Sequence, residues 1–144
     1  MIKDIHKDER GGILDRSIFG DRIFAEMLNE DGFMTDEEFE TYTTLLDNML
    51  EHAMEPKLLV YIDCDLDTAM SRIQKRGRQM EQSVENNYWN RLNEKYTDWY
   101  NNYNHSHKIA IDANSYHPDS EEDIKSIIKM VENIMQNDKS SLYL

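Results

Sequence analysis

Arg72, Lys75, Arg76 and Arg78 fall within a stretch of seven residues and make up a quarter of the chain's 16 basic residues. No acidic side chain lies between Thr68 and Met80, in a sequence that holds 29 aspartates and glutamates. These cations therefore lack local partners, and a bound anion would supply the missing charge. Arg72 and Arg76 are one helical turn apart and share a face, while Gly77 permits a sharp backbone change that lets Arg78 swing back toward them. Three guanidinium forks could so converge on one polyphosphate. Arginine suits that task because its planar fork pairs phosphate oxygens bidentately and stays charged at working pH. A solvated basic helix end favoured by the helix dipole explains the same residues, and charge alone leaves both readings open.

Asp15-Arg16-Ser17 sets a carboxylate beside a guanidinium. At the tip of a strand such a carboxylate can hold a hydrated magnesium ion, and the arginine can stabilise charge on a transferring phosphoryl group. A salt-bridged aspartate followed by a helix-entry serine would account for the tripeptide alone. Taken with the arginine cluster, it points toward phosphoryl transfer.

The elements that must position these residues follow from periodicity. Ile13-Leu14, after Gly11-Gly12, reads as the end of a buried strand whose polar tip begins at Asp15. A helix is expected over Ile18 to Glu30, punctuated by Asp31-Gly32. Thr35 and Glu38 have the spacing of a capping box, opening a helix whose apolar face is Phe39, Tyr42, Leu46, Met49 and Ala53, until Pro56 stops it. Leu58 to Ile62 is a continuous apolar run, the pattern of a central parallel strand buried on both faces. Asp65 caps a following helix that runs to about Arg76. Tyr88, Leu92, Tyr96, Trp99 and Tyr103 form one helical stripe, read as an aromatic core face rather than a binding box. Lys108 to Asp112 is a second strand, and Ser120 caps a last helix presenting Ile124, Ile127, Ile128, Val131, Ile134 and Met135, with a frayed tail beyond Gln136. Strands alternating with helices imply an α/β fold with a mainly parallel sheet, whose ligands collect at the carboxyl ends of strands. Asp15, Asp63 and Asp112 are expected at such ends.

Composition narrows the partners. The 144 residues suffice for a single domain, 1–144, with a hydrophobic core. A formal charge of −13 opposes attraction to nucleic acid or to an anionic membrane, so neither is expected as a partner. No apolar run approaches the roughly 20 residues that span a bilayer, and Met1-Ile2-Lys3-Asp4 lacks a signal-peptide core, which makes a cytoplasmic protein the expectation. Cys64 is the only cysteine, which excludes an internal disulfide and a thiolate cluster. His105 and His107 are read as exposed loop histidines.

Leu14 through Ala25, with Asp15-Arg16-Ser17 followed by Asp21-Arg22, and then Arg72-Ile73-Gln74-Lys75-Arg76-Gly77-Arg78-Gln79-Met80-Glu81, strongly resemble the deoxynucleoside kinases, the bacterial deoxyadenosine and deoxyguanosine kinases in particular. The resemblance covers residues 12–136 in order and spacing. It implies a three-layer P-loop kinase-type fold and transfer of the ATP γ-phosphoryl group to the 5′-hydroxyl of a purine deoxynucleoside, with ATP and Mg2+ required and a homodimer as the full-length enzyme. By the same resemblance Asp15 corresponds to the acid near magnesium, holding it through water, and Arg16 to the arginine on the reacting phosphate. Asp21 corresponds to a residue that holds the base, Arg72, Arg76 and Arg78 to the lid arginines, and Glu81 to the lid acid that approaches the sugar. Asn114 to His117 corresponds in position to the loop under the ATP adenine. The family's N-terminal strand and its G-x-x-x-x-G-K-[ST] phosphate loop are missing from the pattern, and with them the general-base carboxylate, so turnover by these residues alone is not expected. Two alternatives stand beside this reading. One is a thymidylate-kinase-like nucleotide kinase, whose resemblance is confined to scattered residues. The other is a non-catalytic fragment that binds a partner chain through an exposed apolar surface.

Overall fold

The structure is a computed structural model that describes residues 12–16 and 18–141. The chain forms two compact units, Met1–Ala53 and Met54–Leu144.

In the first unit a single 3-10 turn, Ile18–Gly20, precedes helix α1 (Arg22–Glu30) and helix α2 (Asp36–Leu50). The helix expected from Ile18 thus starts in earnest only at Arg22. Ile23, Ala25 and Met27 of α1 are buried, as is Leu46 of α2, and the two helices pack on these side chains. Gly32, at φ 74°, reverses the chain after α1, and the amides of Phe33 and Met34 both donate to the Leu28 carbonyl. Asn29 ties the turn by donating from Nδ2 to the Met34 carbonyl (3.1 Å) and to Asp36 Oδ1 (2.9 Å). The capping box of α2 is complete: the Glu38 amide donates to Thr35 Oγ1 (3.2 Å), and the Thr35 amide donates to Glu38 Oε2 (2.9 Å).

The strand expected at Ile13-Leu14 does not form: residues 12–14 have no regular structure, residues 15 and 16 are in a bend, and the Ile13 side chain is 98% exposed. A strand is held by its ladder, and among the described residues the only sheet is the pair described next, which does not include this segment.

The second unit holds strand β1 (Leu58–Asp63), helix α3 (Leu66–Arg76), the one-turn helix α4 (Gln79–Gln82), helix α5 (Asn86–Asn102), strand β2 (His107–Asp112) and helix α6 (Glu121–Ser141). β1 and β2 pair in parallel, from Leu58 opposite His107 to Asp63 opposite Asp112. The helices between them supply the crossover that a parallel pair requires. β1 is less buried than its unbroken apolar run predicts: its side chains are half-buried at best and Ile62 is 57% exposed. Its ladder has β2 as the one partner among the described residues, so the apolar run is not enclosed on both faces. The aromatic stripe of α5 is a packing face as expected. Tyr100 stacks on Tyr61 of β1 at 4.7 Å, Trp99 meets Tyr103 at 5.4 Å and Tyr96 at 6.3 Å, and Tyr103 is buried. Lys108 of β2 closes the end of α5 by donating from Nζ to the carbonyls of Tyr100 (2.5 Å) and Asn101 (2.8 Å). Ser120 caps α6 through its Oγ, which accepts from the Asp123 amide (3.3 Å), and the helix runs to Ser141, past the end expected at Gln136. No helix among the described residues is long and apolar enough to cross a membrane.

Candidate functional site

The arginine segment is built by the two ends of α3. Asp65 starts the helix, its Oδ1 accepting from the Thr68 amide (2.7 Å) and its Oδ2 from Thr68 Oγ1 (3.0 Å). Those bonds, the backbone one foremost, hold the Asp65 carboxyl below the usual carboxylate range. Gly77 ends the helix in the left-handed region, φ 70°, with its amide bonded to the Ile73 carbonyl (3.2 Å). The chain turns there, and α4 begins directly after Arg78.

That turn brings an acid onto the cluster that looked unpartnered. Glu81 Oε2 accepts from Arg76 Nη2 (2.6 Å) and Nε (3.1 Å), and Glu81 Oε1 lies 3.5 Å from Arg78 Nη1. The Glu81 side chain is 19% exposed, against 49% and 65% for the two arginines. The expectation that the cations lack local partners is therefore corrected. The acid-free window ends at Met80, and the glycine cap folds the very next residue back against it. The short helix α4 has too few residues to show a period, which is why sequence patterning misses it.

Arg72 is turned to a different task. Its Nη2 donates to the Ala113 carbonyl (2.6 Å), just past the end of β2. Ala113 is buried and its amide donates to the Asp63 carbonyl (2.7 Å), so the loop entry is fixed from both sides. Asp112 continues the loop as an Asx turn, accepting from Ser115 Oγ (2.5 Å) and the Asn114 amide (2.8 Å), and these bonds lower its pKa. Asp-x-Asn-Ser was a readable signal for that turn. Arg72, Arg76 and Arg78 thus do not converge on one point: Arg76 and Arg78 meet at Glu81, and Arg72 holds the loop that leads into Asn114 to His117. Burial pushes the Cys64 thiol up more than the Arg72 guanidinium lowers it.

Asp15, Arg16 and Asp21 belong to the first unit. Asp15 is exposed in the bend. Arg16 adopts φ 59°, uncommon for a residue with a side chain, and its guanidinium lies 4.8 Å from the centroid of the Phe24 ring. Asp21 sits at the N-cap of α1 without bonding its backbone, and its charge adds to burial in raising the pKa of Tyr42. Ser17 lies outside the described residues. No group of three His, Cys, Asp or Glu side chains that could hold a metal occurs among the described residues.

A family model described as deoxynucleoside kinase matches residues 1–136. The chain belongs to the deoxynucleoside kinase family. Its fold is that of the family's P-loop kinases, α/β with a parallel sheet: a solved deoxyadenosine kinase of M. mycoides with the products dCMP and a flexible dCDP bound is 26% identical, with a TM-score of 0.75 over 91% of this chain and 66% of that one. The same kinase solved with dCTP gives a TM-score of 0.72 at 27% identity, covering 92% and 69% of the two chains. A deoxyguanosine kinase of Lactobacillus johnsonii is 39% identical over 140 residues, which cover 90% of this chain and 62% of the relative. A deoxyadenosine kinase of Lactobacillus acidophilus is 40% identical over 114 residues, 73% and 53% of the two chains. The chain thus spans between about half and two thirds of the length of these curated relatives.

Proposed function

We propose that this chain supplies the lid and much of the donor side of a site that transfers the ATP γ-phosphoryl group to the 5′-hydroxyl of a purine deoxynucleoside. In that reaction the bond from the γ-phosphorus to ADP breaks as the bond to the 5′-oxygen forms, and catalysis consists of positioning and charge stabilisation. Arg76 and Arg78 would grip the polyphosphate, Arg16 the reacting phosphoryl group, Asp15 a hydrated Mg2+, and Asp21 the base. Arg72 would act from beside the adenine loop. The observation that carries this reading is the glycine-capped helix end that delivers Arg76, Arg78 and Glu81 to one place in a member of this family. The bound dCTP, dCMP and dCDP of the M. mycoides kinase support a nucleoside and nucleotide site. Relatives described as deoxyguanosine and deoxyadenosine kinases support a purine substrate over a thymidylate-kinase-like reaction. A charge of −13 supports small-molecule partners over nucleic acid. A cytoplasmic homodimer is the assembly the family suggests.

The test is ATP-dependent formation of dAMP or dGMP. The 144 residues alone are expected to be silent, because no G-x-x-x-x-G-K-[ST] motif occurs among them. Fusing a segment that carries the family's G-x-x-x-x-G-K-[ST] loop ahead of residue 1 should give turnover that Arg16→Ala abolishes. A folded fusion that leaves both nucleosides unphosphorylated, or turnover indifferent to Arg16→Ala, contradicts the proposal.

A further inference from the structure

Glu81 makes the contacts a phosphate would make. Its Oε2 accepts from both Nη2 and Nε of Arg76, and its Oε1 faces Nη1 of Arg78 at 3.5 Å, so one carboxylate is shared between two guanidinium groups, as a phosphate could be. The carboxylate is the less exposed partner of the cluster, so the arginines reach inward to it. Nothing else in the segment supplies this charge, since no acid occurs between Thr68 and Met80.

We infer that Glu81 is a placeholder anion: it occupies the guanidinium groups of Arg76 and Arg78 when no nucleotide is bound, and an incoming polyphosphate must displace it. The inference rests on the lid reading of these arginines. Glu81 cancels one of two positive charges, occupies the Nε–Nη2 edge of Arg76 and lies against Nη1 of Arg78, so the empty lid is partly masked. It also resolves two assignments that compete for one side chain. A carboxylate released from Arg76 and Arg78 is free to turn toward the acceptor sugar, and donor arrival would then trigger its second contact. Gly77, in the left-handed region, and the single turn of α4 are where such a swing would pivot.

The placeholder role predicts an unusual sign. Removing a residue that merely stabilises the site weakens ligand binding, whereas removing a competitor tightens it. Tripolyphosphate binding to the full chain, measured by calorimetry at low salt, is expected to strengthen about three- to tenfold in Glu81→Gln, the effect of unmasking one charge at a solvent-exposed pair. Glu81→Asp, whose shorter arm cannot span both arginines, should fall between. The double variant Arg76→Gln/Arg78→Gln separates the two levels of the claim. Binding that this double variant removes, with Glu81→Gln no tighter than wild type, overturns the placeholder and leaves the lid standing. Binding by wild type that the double variant retains, or no binding by wild type or Glu81→Gln, overturns both. Circular dichroism of each variant confirms the fold, and if Glu81→Gln fails to fold, Glu81→Asp decides the question by the same sign.

Discussion

Replacing Gly77 with alanine isolates the backbone device that ends α3 and folds Glu81 back against Arg76 and Arg78. Gly77 has φ 70° and caps α3, and a Cβ added there meets nothing within 4 Å. The cost is therefore conformational: an L-residue in the left-handed region loses roughly 1–2 kcal/mol relative to glycine, offset in part by the smaller entropy of the unfolded chain, about 0.4–1 kcal/mol. A net loss of about 1 kcal/mol follows, which at a urea dependence of about 2 kcal/mol per molar lowers the unfolding midpoint by about 0.5 M. Both tryptophans, Trp89 and Trp99, lie in α5 of the same unit, so their emission reports the transition. Gly77→Asn should lose distinctly less, because asparagine tolerates this region. An unchanged midpoint for alanine, or equal losses for alanine and asparagine, would refute the assignment of Gly77 as an obligatory left-handed cap.

Other consequences are as specific. Lys108→Met removes two bonds to the end of α5 and a cation 4.9 Å from the Tyr100 ring centroid, and should cost about 1–2 kcal/mol in the same urea experiment. Arg72→Gln should speed hydrogen exchange of the loop after Ala113 while leaving α5 protected; unchanged exchange in that loop would show that the bond to the Ala113 carbonyl does not hold it. Asp65 and Asp112 have folded pKa values below their unfolded ones, so the unfolded chain binds more protons in that window. Their contribution is present above the usual carboxylate range and is lost as pH falls through it, and Asp65→Asn/Asp112→Asn should flatten the acid limb of the stability profile.

The elements with strong local rules were legible in the sequence. Thr35 and Glu38 announced the α2 cap, Asp65 and Gly77 bracketed α3, and the stripe from Tyr88 to Tyr103 gave α5 its packing face. Residues whose conformation depends on partners were not. Ile13-Leu14 has strand composition, but composition cannot supply a neighbouring ladder. Leu58 to Ile62 reads as fully buried for the same reason, since apolarity states a preference and enclosure is a property of the surroundings. At the site the arginines were found by charge, yet their partners were not. The acid-free stretch ends at Met80 with Glu81 next in line, and the bond from Arg72 to Ala113 joins residues 41 positions apart, beyond any local pattern.

The proposed kinase function requires that the arginines of α3 and its cap bind the polyphosphate of a nucleotide. Titrating ATP into the purified chain at rising salt, wild type beside Arg72→Gln/Arg76→Gln/Arg78→Gln, tests this without requiring turnover. Wild-type binding should weaken steeply as salt rises, because exposed guanidinium groups supply it, and the triple variant should lose it. Equal ATP affinity in a folded triple variant, or wild-type binding indifferent to salt, would contradict the lid.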